Sequence, residues 1–308
     1  MSLYVKTPLV DMLSLNNPQR QVQVKMDAWQ PSGSFKLRGM DVLCSQMIHD
    51  GASRLVSSSG GNAGLSAAYA GRKSGIPVTV VVPDTTDAET IVRLRQEGAE
   101  AIVYGSVWDE ADAYARQLAE RVHGAYIPPF DHPLLWKGHS TIVDELAEQC
   151  QTQPDCIILS VGGGGLFCGV MEGLLRHGWE NTTVIAVETE GAASLHAACQ
   201  AGHLVTLDGI HTLATSLGAK RVAAQALDYA LHYKVISYTV SDAAAARACV
   251  HFADEFRTLI EPACGVSLSL VYDDAPILHD FHHIVVEACG GAKISLRTIE
   301  KFRSEYMK

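Results

Sequence analysis

The chain of 308 residues is long enough for one large domain or two medium ones, and we expect two. Hydrophobic residues make up 47% and charged residues 19%, which excludes a long disordered or low-complexity tract. The formal charge of −10 repels polyanions, so nucleic acid and membrane are excluded as partners and a small-molecule ligand is favoured.

Apolar runs rich in β-branched residues alternate with helical stretches along the chain. This alternation predicts an α/β fold with two open, mainly parallel sheet domains flanked by helices. The predicted strands cover residues 21–26, 54–57, 78–82, 101–104, 156–161, 184–187, 235–240 and 284–288. Several of these runs are apolar without alternation, as in strands covered on both faces. Residues 21–26 do alternate, so we expect one face of that strand to meet solvent or a polar site.

A cluster of turn-forming residues at positions 127–133 is the clearest break in the pattern. We therefore predict a small α/β domain at residues 35–136 and a large one built from residues 1–34 and 137–308. The N-terminal residues resemble no signal peptide and no run reaches membrane-spanning length, so we expect a cytoplasmic protein.

Cysteine and histidine spacing argues against disulfides and metal clusters. The eight cysteines show no CxxC pairs and lie in apolar surroundings, which predicts reduced thiols. His279, His282 and His283 lie close together but lack the partners of a zinc motif, so a solvated turn is the expected structure.

A lysine follows a turn rich in proline, glycine and serine in the segment PSGSFKLRG, where Lys36 precedes a helix predicted from Leu37. Burial of a lysine beside a ring and a phosphate lowers the pKa of its amine and favours imine chemistry. An ordinary surface lysine would have the same local sequence, so this segment alone leaves both interpretations open.

Two glycine-rich turns each follow a predicted strand and open a predicted helix. The first is SSSGGNAG at residues 57–64, and the second is SVGGGGL at residues 160–166. Main-chain amides at such a turn bind anions, and four consecutive glycines are costly to order unless the backbone closely surrounds a ligand. The second turn matches neither the dinucleotide nor the P-loop spacing, which disfavours NAD and ATP. An ordinary strand-to-helix turn remains the alternative for the first.

The ordered motifs PSGSFKLRG, SSGGNAG, VGGGGL, EPACG and ACGG resemble the serine/threonine dehydratase branch of the fold-type II enzymes that depend on pyridoxal 5'-phosphate (PLP), a fold like that of the tryptophan synthase β subunit. The resemblance extends over nearly the whole chain. It implies elimination of water and ammonia from L-serine, and also from L-threonine, by a cytoplasmic homodimer of amino-acid catabolism.

The resemblance also implies roles for individual residues. Lys36 would bind the cofactor as an imine and then serve as the catalytic base. The other cofactor-binding residues would be Phe35, Asn62, Gly162, Gly163, Gly164, Gly165, Leu166 and Cys289, with Cys289 opposite the pyridine nitrogen. The substrate carboxylate would bind at Ser59, Gly61, Asn62 and Ala63. A thiol at position 289 protonates the pyridine nitrogen much less than a carboxylate would, which gives a weaker electron sink that suffices for β-elimination. A buried core thiol is the alternative for Cys289.

Some members of this branch bind a monovalent cation such as K⁺. The corresponding ligands here would be Glu188, Ala192, Ser194, Leu217 and Ala219. A solvated carboxylate and a helix-cap acceptor are the alternatives for Glu188.

Three other functions remain open at the level of the sequence. Serine racemase requires a serine immediately before the Gly-Asn pair, where this chain has Gly60. A β-replacement synthase and a non-catalytic PLP-binding protein are the other two alternatives.

Overall fold

The computed structural model of the chain describes residues 2–307, which form two compact units. The first unit comprises the chain up to Val5 together with Gln30–Gly138. The second comprises Lys6–Trp29 and the chain from His139 onward. The predicted small domain, residues 35–136, lies inside the first unit, which also takes in the start of the chain and residues 30–34 and 137–138.

Strands and helices alternate along most of the chain. The strands are β1 (Leu9–Asp11), β2 (Gln21–Lys25), β3 (Leu55–Ser57), β4 (Val78–Val82), β5 (Glu100–Val103), β6 (Ala125–Ile127), β7 (Cys156–Ser160), β8 (Thr183–Thr189), β9 (Val235–Val240) and β10 (His283–Glu287). The helices are α1 (Lys36–His49), α2 (Asn62–Ser74), α3 (Ala88–Gln96), α4 (Trp108–Arg121), α5 (Pro133–His139), α6 (Thr141–Gln149), α7 (Gly165–Arg176), α8 (Ser194–Ala201), α9 (Ala224–His232), α10 (Asp242–Phe256), α11 (Pro262–Tyr272) and α12 (Leu296–Tyr306).

The sheet of the first unit has the strand order β5-β4-β3-β6, and all its strands are parallel. Every residue of β4 is buried, as expected for an uninterrupted apolar run in a parallel sheet. Val56 and Val81 pack with Ala111, Ala115 and Leu118 of α4 in one hydrophobic cluster. This cluster holds α4 against the sheet.

The sheet of the second unit has the order β1-β2-β10-β7-β8-β9. Only β1 is antiparallel to its neighbour, and the other pairs are parallel. Helix α11 is buried along nearly its whole length, which explains why its sequence shows no polar face. The prediction of an α/β fold with mainly parallel sheets flanked by helices is confirmed. None of the helices formed by residues 2–307 is long and apolar enough to cross a bilayer.

Strand β2 has the polar face that its alternating sequence predicts, but only one end of that face meets solvent. Gln21 is exposed, whereas Lys25 is fully buried. The Lys25 ammonium donates hydrogen bonds to Glu145 at 2.5 Å and to the Thr7 carbonyl at 2.7 Å. The buried charge is thus paired, as burial requires.

The expected solvated turn at the histidine cluster is wrong for His283. This residue begins β10 and is 8% exposed, while His279 and His282 are exposed. Its Nε2 lies 2.9 Å from Gln23 Oε1, and burial lowers the pKa of the ring. The strand therefore begins one residue before its predicted start, and its first residue is a buried histidine.

Candidate active site

Lys36 is the first residue of α1 and follows a tight turn. Gly33 has a φ of 82°, a left-handed conformation that favours glycine, and its amide donates to the Gln30 carbonyl at 2.7 Å. The Lys36 amine donates to the Pro129 carbonyl at 2.7 Å and lies 5.0 Å from the centre of the Phe35 ring. The amine is therefore partly exposed and held in one place, unlike a mobile surface lysine.

Of the four predicted carboxylate-binding residues, Ser59 and Gly61 lie in the turn after β3, and Asn62 and Ala63 are the first two residues of α2. The Gly61 amide donates to Ser59 Oγ at 3.3 Å, and α2 begins three residues before Leu65, where the sequence predicts its start. A Cβ on Gly64 would lie 1.7 Å from the Ser59 carbonyl oxygen, so the turn folds closely over the first helical residues. Amides in the first turn of a helix have no intrahelical acceptor, which suits them to an anion.

The lysine segment and this turn are neighbours within the first unit. Ser32, in the loop before Lys36, places its hydroxyl 2.8 Å from the hydroxyl of Ser66 on α2. Helices α1 and α2 also pack against each other. The first unit therefore brings the proposed base and the proposed carboxylate site onto one scaffold.

The tetraglycine turn of the second unit connects β7 to α7. Gly164 adopts a left-handed φ of 91° before the helix starts at Gly165, and a Cβ there would lie 2.7 Å from the Cβ of Ala226. A Cβ on Gly162 would lie 2.8 Å from the Cα of Leu217. Packing alone thus requires glycine at these two positions.

The same turn has the properties of a phosphate site. It leads directly into the N-terminus of α7, a helix of 12 residues with no acidic side chain in its first turn. Small residues leave its main chain open to a ligand, and the dipole of the helix favours an anion there. The predicted residues Gly162, Gly163, Gly164, Gly165 and Leu166 therefore fit the phosphate of the cofactor that the resemblance implies.

Cys289 follows β10 and is 6% exposed. Its Sγ lies 3.7 Å from Ser160 Oγ at the end of β7. Hydrogen bonding to Cys264 and burial raise the pKa of the Cys289 thiol well above its usual value, although the hydrogen bond with Ser160 opposes the rise. The thiol is therefore neutral near pH 7.

Glu188 is completely buried near the end of β8, so the solvated interpretation is wrong and the helix-cap interpretation is confirmed. Its carboxylate accepts the amides of Leu195 at 2.9 Å and His196 at 2.7 Å. Burial raises the pKa of this carboxyl to about 7, and hydrogen bonds from main-chain amides of α8 limit the rise.

The other predicted cation ligands come from two segments of the second unit. Ala192 and Ser194 are buried beside the start of α8, while Leu217 contacts Gly162 and accepts the Ala219 amide at 2.8 Å. Within residues 2–307, no three acidic, histidine or cysteine side chains group as a metal site would require. A cation here would depend on Glu188 and main-chain oxygens.

Sequence reasoning missed the hydrogen-bond partners of Lys36 and Cys289. The Pro129 carbonyl is a main-chain atom and leaves no signal in a sequence. Ser160 and Cys264 were part of the quoted motifs, but their roles emerge only from contacts across the sheet.

The chain is similar to known proteins over almost its whole length. Residues 1–290 match the family described as "Pyridoxal-phosphate dependent enzyme". The chain is 45% identical over 312 residues to the L-serine dehydratase/L-threonine deaminase of Mus musculus, covering 98% of this chain and 95% of that protein. It is 44% identical over 310 residues to a human serine dehydratase-like protein, covering 98% and 94% of the two chains.

A solved structure has the same fold. The crystal structure of a fungal L-serine ammonia-lyase from Rhizomucor miehei aligns over 100% of both chains with a TM-score of 0.94 and 39% identity. The resemblance to the serine/threonine dehydratase branch is thus confirmed. Since the family match and the relatives cover nearly every element described above, the chain belongs to the pyridoxal-phosphate dependent enzymes.

Proposed function

We propose that the protein is a PLP-dependent ammonia-lyase that converts L-serine to pyruvate and ammonia, and L-threonine to 2-oxobutanoate and ammonia. The observation that carries this proposal is the partly exposed Lys36 amine, fixed at 2.7 Å from the Pro129 carbonyl on the same unit as an anion-binding turn. The names of the similar proteins from mouse and Rhizomucor miehei support the same reaction.

We assign the cofactor contacts residue by residue. Lys36 would hold the aldehyde carbon of PLP, and the tetraglycine turn with Leu166 would bind its phosphate. Asn62 would bond the ring hydroxyl, Phe35 would line the ring, and Cys289 would pair with the pyridine nitrogen. PLP, when bound, withdraws electrons from the substrate Cα so that a proton can leave it.

The residues of the chain supply binding and proton transfer. The turn formed by Ser59, Gly61, Asn62 and Ala63 holds the substrate carboxylate and orients the Cα–H bond toward Lys36. The Lys36 amine removes that proton, and the β-hydroxyl takes up one proton and leaves as water, so that the proton count balances. Hydrolysis of the released enamine yields the keto acid and ammonia, which balances the reaction.

The neutral Cys289 thiol sets the electronic character of the site. A thiol leaves the pyridine nitrogen largely unprotonated, so the cofactor is a weaker electron sink than one paired with a carboxylate. Elimination needs only a short-lived carbanion beside a leaving group, whereas transamination needs a longer-lived one. This arrangement favours dehydration over transamination.

Gly60 argues against racemisation as the main activity. A Cβ at this position would lie 3.0 Å from Val82 Cγ1 and 3.3 Å from Thr86 Cγ2, so a serine side chain has little room there. The chain therefore lacks the second acid that a racemase places before its Gly-Asn pair.

Keto-acid release is the direct test of the proposed function. We expect purified protein loaded with PLP to form pyruvate from L-serine and 2-oxobutanoate from L-threonine, with no product from the D-isomers. One methyl group alters specificity by only about 1–3 kcal/mol, so both L-substrates should react. Formation of D-serine, or of a new amino acid when a thiol is added, would contradict the proposal in favour of a racemase or a β-replacement synthase. Absence of any turnover would indicate a non-catalytic PLP-binding protein.

We also propose that Glu188, with the carbonyls of Ala192, Leu217 and Ala219 and with Ser194, binds a monovalent cation such as K⁺. The fully buried carboxylate supports this, because burial disfavours its ionised form and a bound cation would supply the counter-charge. A ligand at about 100 times its dissociation constant adds about 2.7 kcal/mol of stability. We expect KCl to raise the melting temperature by several degrees relative to tetramethylammonium chloride.

Two glutamate variants distinguish a specific cation site from a general salt effect. Glu188→Gln should lose the difference between the two salts. Glu190→Gln, which changes an exposed residue just after the end of β8, should retain it. An equal response of wild type to both salts would refute the cation site.

We further propose a homodimer that acts in the cytoplasm in amino-acid catabolism. None of the eight cysteines forms a disulfide bond, as expected for proteins of a reducing compartment. The oligomeric state is measurable by light scattering, and a monomer at micromolar concentration would refute the dimer.

A further inference from the structure

A buried carboxylate in the first unit connects two loops on which the proposed reaction depends. Asp112 lies on the inner face of α4 and is 9% exposed. Its Oδ1 accepts the Ser58 hydroxyl at 2.5 Å and also the Tyr126 hydroxyl. Its Oδ2 accepts Nε of Arg116 at 2.8 Å. Both carboxylate oxygens are thus engaged.

The two hydroxyl donors come from neighbouring strands and lead directly into functional segments. Ser58 follows β3 and immediately precedes the proposed carboxylate-binding turn at residues 59–63. Tyr126 lies in β6, three residues before Pro129, whose carbonyl accepts the Lys36 amine. The Ser58 and Tyr126 hydroxyls are also 3.1 Å apart. One side chain therefore fixes the starting points of both loops.

The protonation states in this network are well defined. Burial alone would raise the pKa of the Asp112 carboxyl, but the hydrogen bonds from Ser58, Tyr126 and Arg116 outweigh it and lower the pKa. Burial and the hydrogen bond to Asp112 raise the pKa of the Tyr126 hydroxyl, which therefore remains a donor. The Arg116 guanidinium lies 4.0 Å from the centre of the Tyr126 ring and completes the charge balance.

Asp112 is a charged residue beside the hydrophobic core of the first unit. Asp112 follows Ala111 on α4, and the hydrophobic cluster beneath this helix contains Val56, Ala115 and Leu118. Replacing a whole buried ion pair by packed apolar groups is often neutral or stabilising, whereas removing one partner leaves the others unpaired and destabilises the fold. Loss of Asp112 alone is therefore expected to lower stability, so its effect on substrate binding is measured separately from its effect on stability.

We propose that Asp112 is a positioning residue for the substrate carboxylate: through Ser58 it holds the turn at residues 59–63 in the conformation that binds the anion. The proposal rests on the proposed function, because it assigns that turn to the carboxylate of the amino-acid substrate. Asp112 acts through Ser58 and does not touch the substrate.

The test compares two substitutions of Asp112 that differ in hydrogen-bonding capacity. Asp112→Asn retains an oxygen that can accept the Ser58 and Tyr126 hydroxyls, whereas Asp112→Leu keeps the branched shape of the side chain, is larger, and has no acceptor. For Asp112→Leu we expect KM for L-serine to rise about tenfold or more, with kcat within about threefold of wild type, and a lower melting temperature because the Ser58 and Tyr126 hydroxyls lose their acceptor. Asp112→Asn should keep KM within about threefold of wild type.

A second measurement asks whether the effect follows the carboxylate group. Binding of L-alanine and of ethylamine to the PLP-loaded protein is followed through the cofactor absorbance; L-alanine has a carboxylate and ethylamine does not. Asp112→Leu should weaken L-alanine binding about tenfold and leave ethylamine binding unchanged. In the cofactor-free protein, amide hydrogen exchange at residues 59–63 should accelerate.

Two further variants keep the test decisive. Asp109→Leu places the same substitution at an exposed position of the same helix and should leave both ligands unaffected. If Asp112→Leu does not fold, Ser58→Ala removes only the hydroxyl that links Asp112 to the turn and should raise KM by a similar factor.

Wild-type-like L-alanine binding in the folded Leu variant, or in Ser58→Ala, overturns the proposal. So does an equal loss of ethylamine binding. Failure of the proposed function is a separate result, namely no keto acid from the wild-type protein.

Discussion

Lys36→Ala is expected to reduce keto-acid release from L-serine by a factor of about 10³ or more, because it removes both the covalent anchor of the cofactor and the base that takes the Cα proton. The chain should still fold, since Lys36 is half-buried at the start of α1 and lies outside the hydrophobic core, although the hydrogen bond to the Pro129 carbonyl is lost. Pyruvate formation and the melting temperature measure these two effects separately.

Borohydride reduction identifies the attachment site independently of turnover. In the wild-type protein, reduction should fix the cofactor irreversibly to the peptide that contains Lys36, whereas the alanine variant should release it on denaturation. Lys73→Ala is a matched control, because Lys73 is an exposed lysine at the end of α2 in the same unit. Full activity of Lys36→Ala, or cofactor attached to another lysine, would refute the assignment.

Gly164→Ala is expected to destabilise the cofactor-free protein by about 2–5 kcal/mol. A left-handed conformation costs an alanine about 1–2 kcal/mol, and overpacking adds about 1–3 kcal/mol. The added Cβ would lie 2.7 Å from the Cβ of Ala226 and 3.1 Å from Val222 Cγ2. Urea denaturation gives the stability change, and we also expect the dissociation constant of PLP to rise, because relief of the contact displaces the turn.

The opposite end of α7 provides a control for the backbone conformation alone. Gly178 also has a left-handed φ, of 68°, but nothing lies within 4 Å of an added Cβ. Gly178→Ala should therefore cost only the conformational part, about 1–2 kcal/mol, and leave PLP affinity unchanged. Equal effects of the two substitutions would show that packing against Ala226 contributes nothing.

Long apolar runs made most of the fold predictable from the sequence. All eight predicted strands are present within two residues of their expected bounds. The strands that were not predicted, β1 and β6, have three residues each, too few to display a period. Helix α2 begins at Asn62, earlier than predicted, because a segment of glycine, asparagine and alanine shows no apolar periodicity although it is already helical.

Site residues that belong to local sequence motifs could be predicted, whereas residues that meet only in the folded chain could not. Lys36 and the two glycine-rich turns belong to such motifs. Asp112 lies 54 residues from Ser58 and meets it only because β3 and β6 are adjacent beneath α4. No local pattern distinguishes this aspartate from its exposed neighbour Asp109.

Because glycines of the tetraglycine turn are needed for packing, their presence in a related sequence does not show that the sequence is an active enzyme. Leu217 and Ala226 leave no room for a side chain at Gly162 and Gly164. A related protein that no longer binds PLP would therefore still need both glycines to fold. A sequence search that scores the tetraglycine motif would therefore classify such non-catalytic relatives as enzymes. Packing does not require a lysine at position 36 in the same way. Loss of Lys36 therefore indicates loss of catalysis more reliably than loss of a glycine does.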